Sequence, residues 1–297
     1  MSQLNIVLNS SLPRSGSTLL QNLLAQHPEF YCSPTSDLLE LIVQLRNSYG
    51  NFDGFKSQGL LKIAPRIRDA MRGIVTGFYA SEITAGRVIF EKCRGHSQYL
   101  ELWEEVLGER ARVVCCVRDI REVVASFERL YRTSQLTKSD VGGEAYFDCQ
   151  TTEGRARQLL SSGAVLGLSL ARLHDVFTRR MDDRLIIVPY DHLVSDPAGV
   201  LMILCVQLGL TPFVVDSQNV IQHTHEDDGV HGMRLHDVRP VVSKEGSTVW
   251  TDFLPIGLGQ ELNERYQWLQ ELAGVKDEPA DGVNVTVFRA NELQEKV

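Results

Sequence analysis

The chain has 297 residues, 43% of them hydrophobic and 23% charged, with a formal net charge of -8 and a pI near 5.5. That is enough chain for one large α/β domain or two small ones. Its acidic balance argues against a general binder of nucleic acid or of acidic membranes, since neither polyanion is attracted to such a surface. No apolar stretch is long enough for a bilayer span and the N-terminus lacks a basic segment followed by an apolar core, so a cytoplasmic protein is expected.

Leu4 to Leu8 is a short aliphatic run followed by the turn signal Asn9-Ser10-Ser11, which reads as a buried strand and a loop. Helices are expected over 18–26, 36–47 and 60–80, the first ending at His27-Pro28. Next come a strand at 87–91, a helix at 97–107, a strand at 112–117 and a helix at 120–133. A polar loop over 138–152 leads to a long helix at 153–180. A strand at 184–189 and a helix at 197–208 follow, and a last helix is expected near 258–273. The strands are continuous aliphatic runs alternating with helices. An α/β fold follows, three-layered, with a central mostly parallel sheet covered by helices on both faces. Residues 1–275 are expected to form one domain and 276–297 a loosely held tail. The six cysteines show no metal spacing and read as reduced core residues.

Ligands of open parallel sheets bind at the carboxyl ends of the strands. Two strand ends carry a suggestive group here, and a third segment enters with the resemblance given below. The first is LPRSGSTLL, residues 12–20, a strand-to-helix turn that aims free backbone N–H groups and the positive end of a helix dipole at an anion. The second is VVCCVRDIREVVASF, residues 113–127. There Arg118 stands at the strand end, Asp119 caps the next helix, and Ser126 lies about two turns in. A guanidinium fork and a hydroxyl converging on one group suit a phosphate. The third is IIVPYDHLVSDP, residues 186–197, with Tyr190 just past the strand.

These three segments, in this order, resemble sulfotransferases that use 3′-phosphoadenosine 5′-phosphosulfate (PAPS), in particular the branch with PRSG in its first loop, which includes the tyrosylprotein and many bacterial enzymes. The resemblance runs from residue 4 to about 210. It implies a P-loop-like fold and transfer of a sulfuryl group from PAPS to a hydroxyl or amine, leaving adenosine 3′,5′-bisphosphate (PAP). LPRSGSTLL matches the 5′-phosphosulfate loop, so Arg14, Ser15, Gly16, Ser17 and Thr18 would bind the donor, with Arg14 also catalytic. Arg118 and Ser126 match the 3′-phosphate motif, and Tyr190 would line the nucleotide pocket. In SKEGSTVW, residues 243–250, Lys244 and Gly246 are a weak match to the segment that closes over the 3′-phosphate. Glu245 between them departs from that segment's basic pattern. No metal is called for, because cationic side chains neutralise the charge.

The acceptor's proton needs a base. The glutamate that tyrosylprotein enzymes carry shortly after the first helix has no match in YCSPTSDLLE: Thr35 and Ser36 stand near that position, and Asp37 and Glu40 follow. Cytosolic sulfotransferases use a histidine after the second strand, and EKCRGHSQ offers His96, with Lys92 as a further phosphate ligand. By that likeness His96 is the expected base. HTHEDDGVHGMRLHD, residues 223–237, is expected to be a lid or acceptor-side loop rather than a zinc site at His223 and His225. Two alternatives stay open. A P-loop kinase shares the architecture and could use Asp191 at magnesium, but NSSLPRSGST lacks the first glycine and the lysine of its loop. A non-catalytic nucleotide-binding member of the fold is the other. The acceptor could be a small molecule, a glycan or a peptide, and the oligomeric state is not legible.

Overall fold

Five short aliphatic strands run parallel through the centre of the computed structural model of the chain, which describes residues 4–133, 150–228, 236–244, 248–275 and 288–289. The strands are β1 (Ile6–Asn9), β2 (Phe30–Thr35), β3 (Val88–Lys92), β4 (Val113–Val117) and β5 (Leu185–Pro189). A two-residue β6 (Phe288–Arg289) pairs antiparallel with β5, so this part of the expected tail adds an edge to the sheet. The rest of the tail lies outside the described residues. The strand order is β2-β3-β1-β4-β5-β6. The chain therefore moves to one side of β1 for β2 and β3, then crosses to the other side for β4 and β5. This reversal opens a crevice at the carboxyl ends of the central strands.

Alternation along the strands divides the core. Val7, Phe90, Val114, Cys116 and Val188 face one side, packed on Leu20, Leu23 and Leu24 of α1 (Ser17–Leu24). Ile6, Leu8, Ile89, Cys115 and Ile187 face the other, packed with Trp103, Val123 and Leu170. Helices cover both faces, and for that reason the strands read as unbroken apolar runs. The expected α/β sheet is present. No helix among the described residues is long and apolar enough to cross a membrane.

Local structure departs from expectation at several places. β2 was not expected: Phe30–Thr35 contains Ser33 and Pro34 and lies at the sheet edge, pairing only with β3. An edge strand tolerates the N–H that proline lacks. The helix after it, α2 (Leu38–Ser48), starts correspondingly later than 36. Following α2, the chain forms α3 (Asp53–Gln58), α4 (Leu60–Phe78), α5 (Ala80–Thr84), α6 (Leu100–Leu107) and α7 (Ile120–Thr133). The expected long helix over 153–180 is two helices, α8 (Thr152–Leu159) and α9 (Val165–Thr178), separated at Ser161-Ser162-Gly163. These residues favour turns and weaken a continuous helix. After α10 (Tyr190–Ser195) and α11 (Pro197–Leu208), the expected last helix is also a pair, α12 (Ile256–Arg265) and α13 (Gln267–Leu272). The loop expected over 138–152 lies outside the described residues up to 149.

Register decides what meets at the sheet edge. Val117 is opposite Pro189, so Arg118 and Tyr190 leave the sheet side by side. Asn9 is opposite Lys92, and Lys92 is opposite Thr35, so the loop after β1 opens beside both.

Candidate active site

The crevice at these strand ends is a cleft of about 610 Å³. Arg14, Gly16, Ser17, Thr18, Arg118, Ser126 and Tyr190 all line it, so seven of the ten expected site residues are brought together there. The loop after β1 turns sharply: Arg14 has φ 60° and Gly16 has φ 93°. Left-handed backbone at a non-glycine residue is uncommon and is concentrated at functional sites. Gly16 is the N-cap of α1 and supplies no side chain to the first turn, so its N–H groups are left without a side-chain cap. A β-carbon at Gly16 would stand 2.8 Å from Tyr190 Cδ2.

Ser15 acts differently from expectation. Its hydroxyl is fully buried, 2.6 Å from the Leu12 carbonyl and 2.8 Å from the Cys116 carbonyl, and so is engaged in pinning the loop to β4. Only its backbone remains for a ligand.

Arg14 Nε donates to Ser126 Oγ at 3.1 Å, and Arg118 Nη1 donates to the Arg14 carbonyl at 3.3 Å. Arg118 is also held by Glu122, at 2.8 Å from Nε and 2.7 Å from Nη2, and its guanidinium carbon stacks 4.2 Å from the Tyr190 ring centroid. Asp119 caps α7 through the Arg121 N–H at 2.8 Å. Two more arginines, Arg129 and Arg239, line the same half. Burial first, then Arg129 and Arg118, push the Arg14 guanidinium down to about 10. Burial, then Arg239 and Arg118, lower Arg129 as well. In a protein of net charge -8, cations crowded to the point of mutual repulsion mark a place for a polyanion.

The other half of the cleft joins Lys92, which the sequence offered as a phosphate ligand, to Glu226 and His236, which it did not single out as site residues. Lys92 Nζ donates to Thr18 Oγ1 and to Glu226 Oε1, both at 3.2 Å. Glu226 Oε1 also accepts from the Thr35 N–H at 2.9 Å and the Thr35 hydroxyl at 3.0 Å. His236 Nδ1 lies 2.6 Å from Asp228 Oδ1 and 3.2 Å from Glu226 Oε2. Burial raises the Glu226 carboxyl, but Lys92, the Thr35 donors and His236 outweigh it and hold it below its usual range. Burial, aided by Lys92, lowers His236 despite its carboxylate partners. These residues arrive because Asn22 of α1 anchors the segment: its Oδ1 accepts the Thr224 N–H at 3.0 Å and its Nδ2 donates to Thr224 Oγ1 at 2.9 Å. The segment expected to be a lid is thus docked against α1 and β2 at its beginning; residues 229–235 lie outside the described residues. The only sequence signal for Glu226 and His236 was the density of acids and histidines there.

Three expected site residues do not line the cleft: Ser15, His96 and Lys244. His96 has no exposed surface; Trp103 Nε1 donates to its Nδ1 at 2.9 Å and its Nε2 faces the buried Glu91 carboxylate. A 3-10 turn over His96–Tyr99 directs the ring under the sheet edge. An imidazole with both nitrogens engaged and no path to the cleft is placed to hold α6 against β3, and a base role does not fit it. Lys244 sits 3.8 Å from Asp191 in an ion pair with both side chains more than half exposed. Asp191, the kinase alternative's magnesium residue, is thus exposed as well. Gly246 lies outside the described residues.

The family model described as "Sulfotransferase family" matches residues 10–214, more than two thirds of the chain. The chain belongs to the sulfotransferase family. The enzyme class that the resemblance implied stands with it, and the kinase alternative does not. Among solved structures, the chain is similar to the sulfotransferase domain of the Synechococcus PCC 7002 olefin synthase (20% identity, 94% of this chain and 98% of that one, TM-score 0.47). It is also similar to the sulfotransferase domain of the curacin biosynthetic pathway (18% identity, 90% and 98%, TM-score 0.52), which shares the fold. A third is retinol dehydratase in complex with retinol and PAP (14% identity, 95% and 84%, TM-score 0.43). A comparison with curated proteins returns no match.

Proposed function

We propose that this sulfotransferase moves a sulfuryl group from PAPS to the hydroxyl of a small-molecule acceptor, working in the cytoplasm as one catalytic domain over 1–275. The carrying observation is the convergence of Arg14, Arg118 and Arg129 on one half of the cleft, with Arg14 driven down to about 10 by burial and by the other two. A bound phosphosulfate relieves that repulsion. The uncapped first turn of α1 and the close approach at Gly16 suit the same group. Free cysteines, five among the described residues, support a reducing compartment.

PAPS supplies a sulfur centre with a phosphate leaving group. The acceptor oxygen bonds to sulfur, the bond from sulfur to the bridging oxygen breaks, and negative charge grows on the departing PAP. Arg14 and the α1 N–H groups stabilise that charge; Arg118 and Ser126 hold the nucleotide's second phosphate, with Tyr190 against Arg118. In place of His96, His236 takes the acceptor's proton. Burial and Lys92 keep its ring neutral near pH 7, and Asp228 and Glu226 at Nδ1 stabilise the imidazolium that forms.

The test is incubation with sulfur-labelled PAPS and a panel of phenols, aliphatic alcohols and hydroxy acids, alongside calorimetric titration with PAP. Labelled product and PAP binding in wild type, both lost in Arg14→Ala, are the expected result. PAP that fails to bind the wild type overturns the reading.

A further inference from the structure

Strand order divides the cleft. The loop after β1 and the ends of β4 and β5 carry the groups assigned to the nucleotide, while the ends of β3 and β2 carry Lys92, Arg94, Thr35 and Asp37. Arg94, two residues past β3, lines the cleft. A second arginine, Arg172 of α9, lies near it without lining the cleft: a β-carbon on the adjacent Gly95 would lie 3.8 Å from Arg172 Nη1, and burial first, with the Arg172 charge as a lesser cause, lowers Arg94. Among the described residues, neither guanidinium has a carboxylate within ion-pair distance. Arg172 Nε donates to the neutral Gln98 side chain at 2.9 Å. Glu226, whose field reaches Arg94, has its oxygens held by Lys92, Thr35 and His236.

Several other partly buried arginines are paired with a carboxylate, and Arg72 and Arg112 are instead satisfied by carbonyl oxygens. Arg118 has Glu122, Arg121 has Asp119, Arg155 has Glu128 and Arg184 has Glu104. In a chain with 38 acidic and 30 basic residues, carboxylates are in surplus. Two neighbouring arginines without one, beside a cleft, are a fork-shaped receptor for an oxyanion that the protein does not itself supply. Phe127, Leu130 and Val165 line the same cleft and offer an apolar surface to the remainder of such a molecule.

We propose that Arg94 and Arg172 form an oxyanion subsite beside the site of transfer, so that the acceptor is an alcohol or phenol carrying its own carboxylate on an apolar body. This rests on the sulfuryl-transfer reading, since that reading reserves the opposite half of the cleft for the nucleotide.

The test is binding, which needs no turnover. 4-Hydroxybenzoate and 3-hydroxyoctanoate are each titrated against their methyl esters, with and without PAP, into wild type, Arg94→Gln, Arg94→Gln/Arg172→Gln and Arg94→Lys. In wild type at least one acid is expected to bind about tenfold more tightly than its ester, the worth of a charge-assisted contact. The preference is expected to vanish in the double variant, to persist in part in Arg94→Lys, and to leave PAP affinity unchanged throughout. Thermal melts confirm folding of each variant. No preference for either acid in wild type, a preference that survives the double variant, or a parallel loss of PAP affinity overturns the proposal; the last assigns Arg94 to the nucleotide. Failure of PAP to bind overturns the donor reading instead, and the acid-to-ester ratio without PAP still decides the subsite.

Discussion

Arg14 Nε donates to Ser126 Oγ at 3.1 Å, joining the turn after β1 to the helix after β4 across 112 residues of chain. The contact fixes the guanidinium at the point where the two segments proposed to bind the donor's phosphates meet. Arg14→Ala is expected to lower kcat by about 10²- to 10³-fold, the cost of removing one donor aimed at developing charge. Ser126→Ala removes the anchor and a phosphate contact but leaves the charge, so its effect is expected mainly in the KM for PAPS. Initial rates with labelled donor separate the two. An Arg14→Ala enzyme with wild-type kcat would refute the assignment.

Gly16 is constrained twice, by φ 93° and by Tyr190 Cδ2 standing 2.8 Å from any added β-carbon. Gly16→Ala is expected to cost about 1–2 kcal/mol from the left-handed backbone alone, and to weaken PAP binding as the ring is displaced from Arg118. Adding Tyr190→Ala relieves the clash and not the backbone. Stability in the double variant is therefore expected to recover only in part, as read by urea denaturation. Full recovery would show that sterics alone fixes the glycine.

As the proposed base, His236 is expected to set the acid side of the pH profile. Burial and Lys92 lower its pKa, so kcat/KM is expected to rise with pH through a value below the ordinary histidine range of about 6.5 and to level off by neutrality. His236→Gln is expected to lower kcat by about 10²-fold or more and to abolish that limb. Stability follows the same sign. The fold prefers neutral His236 and ionised Glu226, both with folded values below their unfolded ones. Their contribution is present above the unfolded values and lost as pH falls through the folded ones. A profile unchanged in His236→Gln assigns the base elsewhere.

Lys92 and Glu226 form an ion pair at 3.2 Å with each side chain only 9% exposed. Burial dominates the lysine, whose pKa is lowered even beside the carboxylate. Lys92→Met leaves Glu226 with its Thr35 donors but no counter-ion, and is expected to cost about 3 kcal/mol. Lys92→Met/Glu226→Gln is expected to recover much of that loss in denaturant melts. Activity stays low in both, because Thr18 loses its partner. A double variant no more stable than the single one would show that the pair is not energetically coupled.

The site was legible in part because two of its pieces are local. Arg14 to Thr18 and Arg118 to Ser126 each sit on a strand end and the helix that follows, where short-range geometry fixes their direction. Ser15 shows the limit: its residue type suggested a ligand contact, yet the tight turn points its hydroxyl at the Leu12 and Cys116 carbonyls. His96 shows another. Its distance along the chain from the strand was right for the cleft, but the 3-10 turn and the Trp103 and Glu91 contacts turn the ring inward.

The parallel sheet was readable from the residues alone, through aliphatic runs that must be covered on both faces, and so was the sharp turn at residues 12–18, through a strand, a glycine and a helix start in succession. Tertiary packing was needed to form an edge strand at Phe30–Thr35, to return Glu226 and His236 to the ends of β2 and β3, and to bring Arg172 near Arg94. What separates the two is distance along the chain. Backbone geometry and periodicity act over a few residues, whereas contacts such as Thr35 to Glu226, 191 residues apart, exist only once strand register and helix packing have set where each element ends.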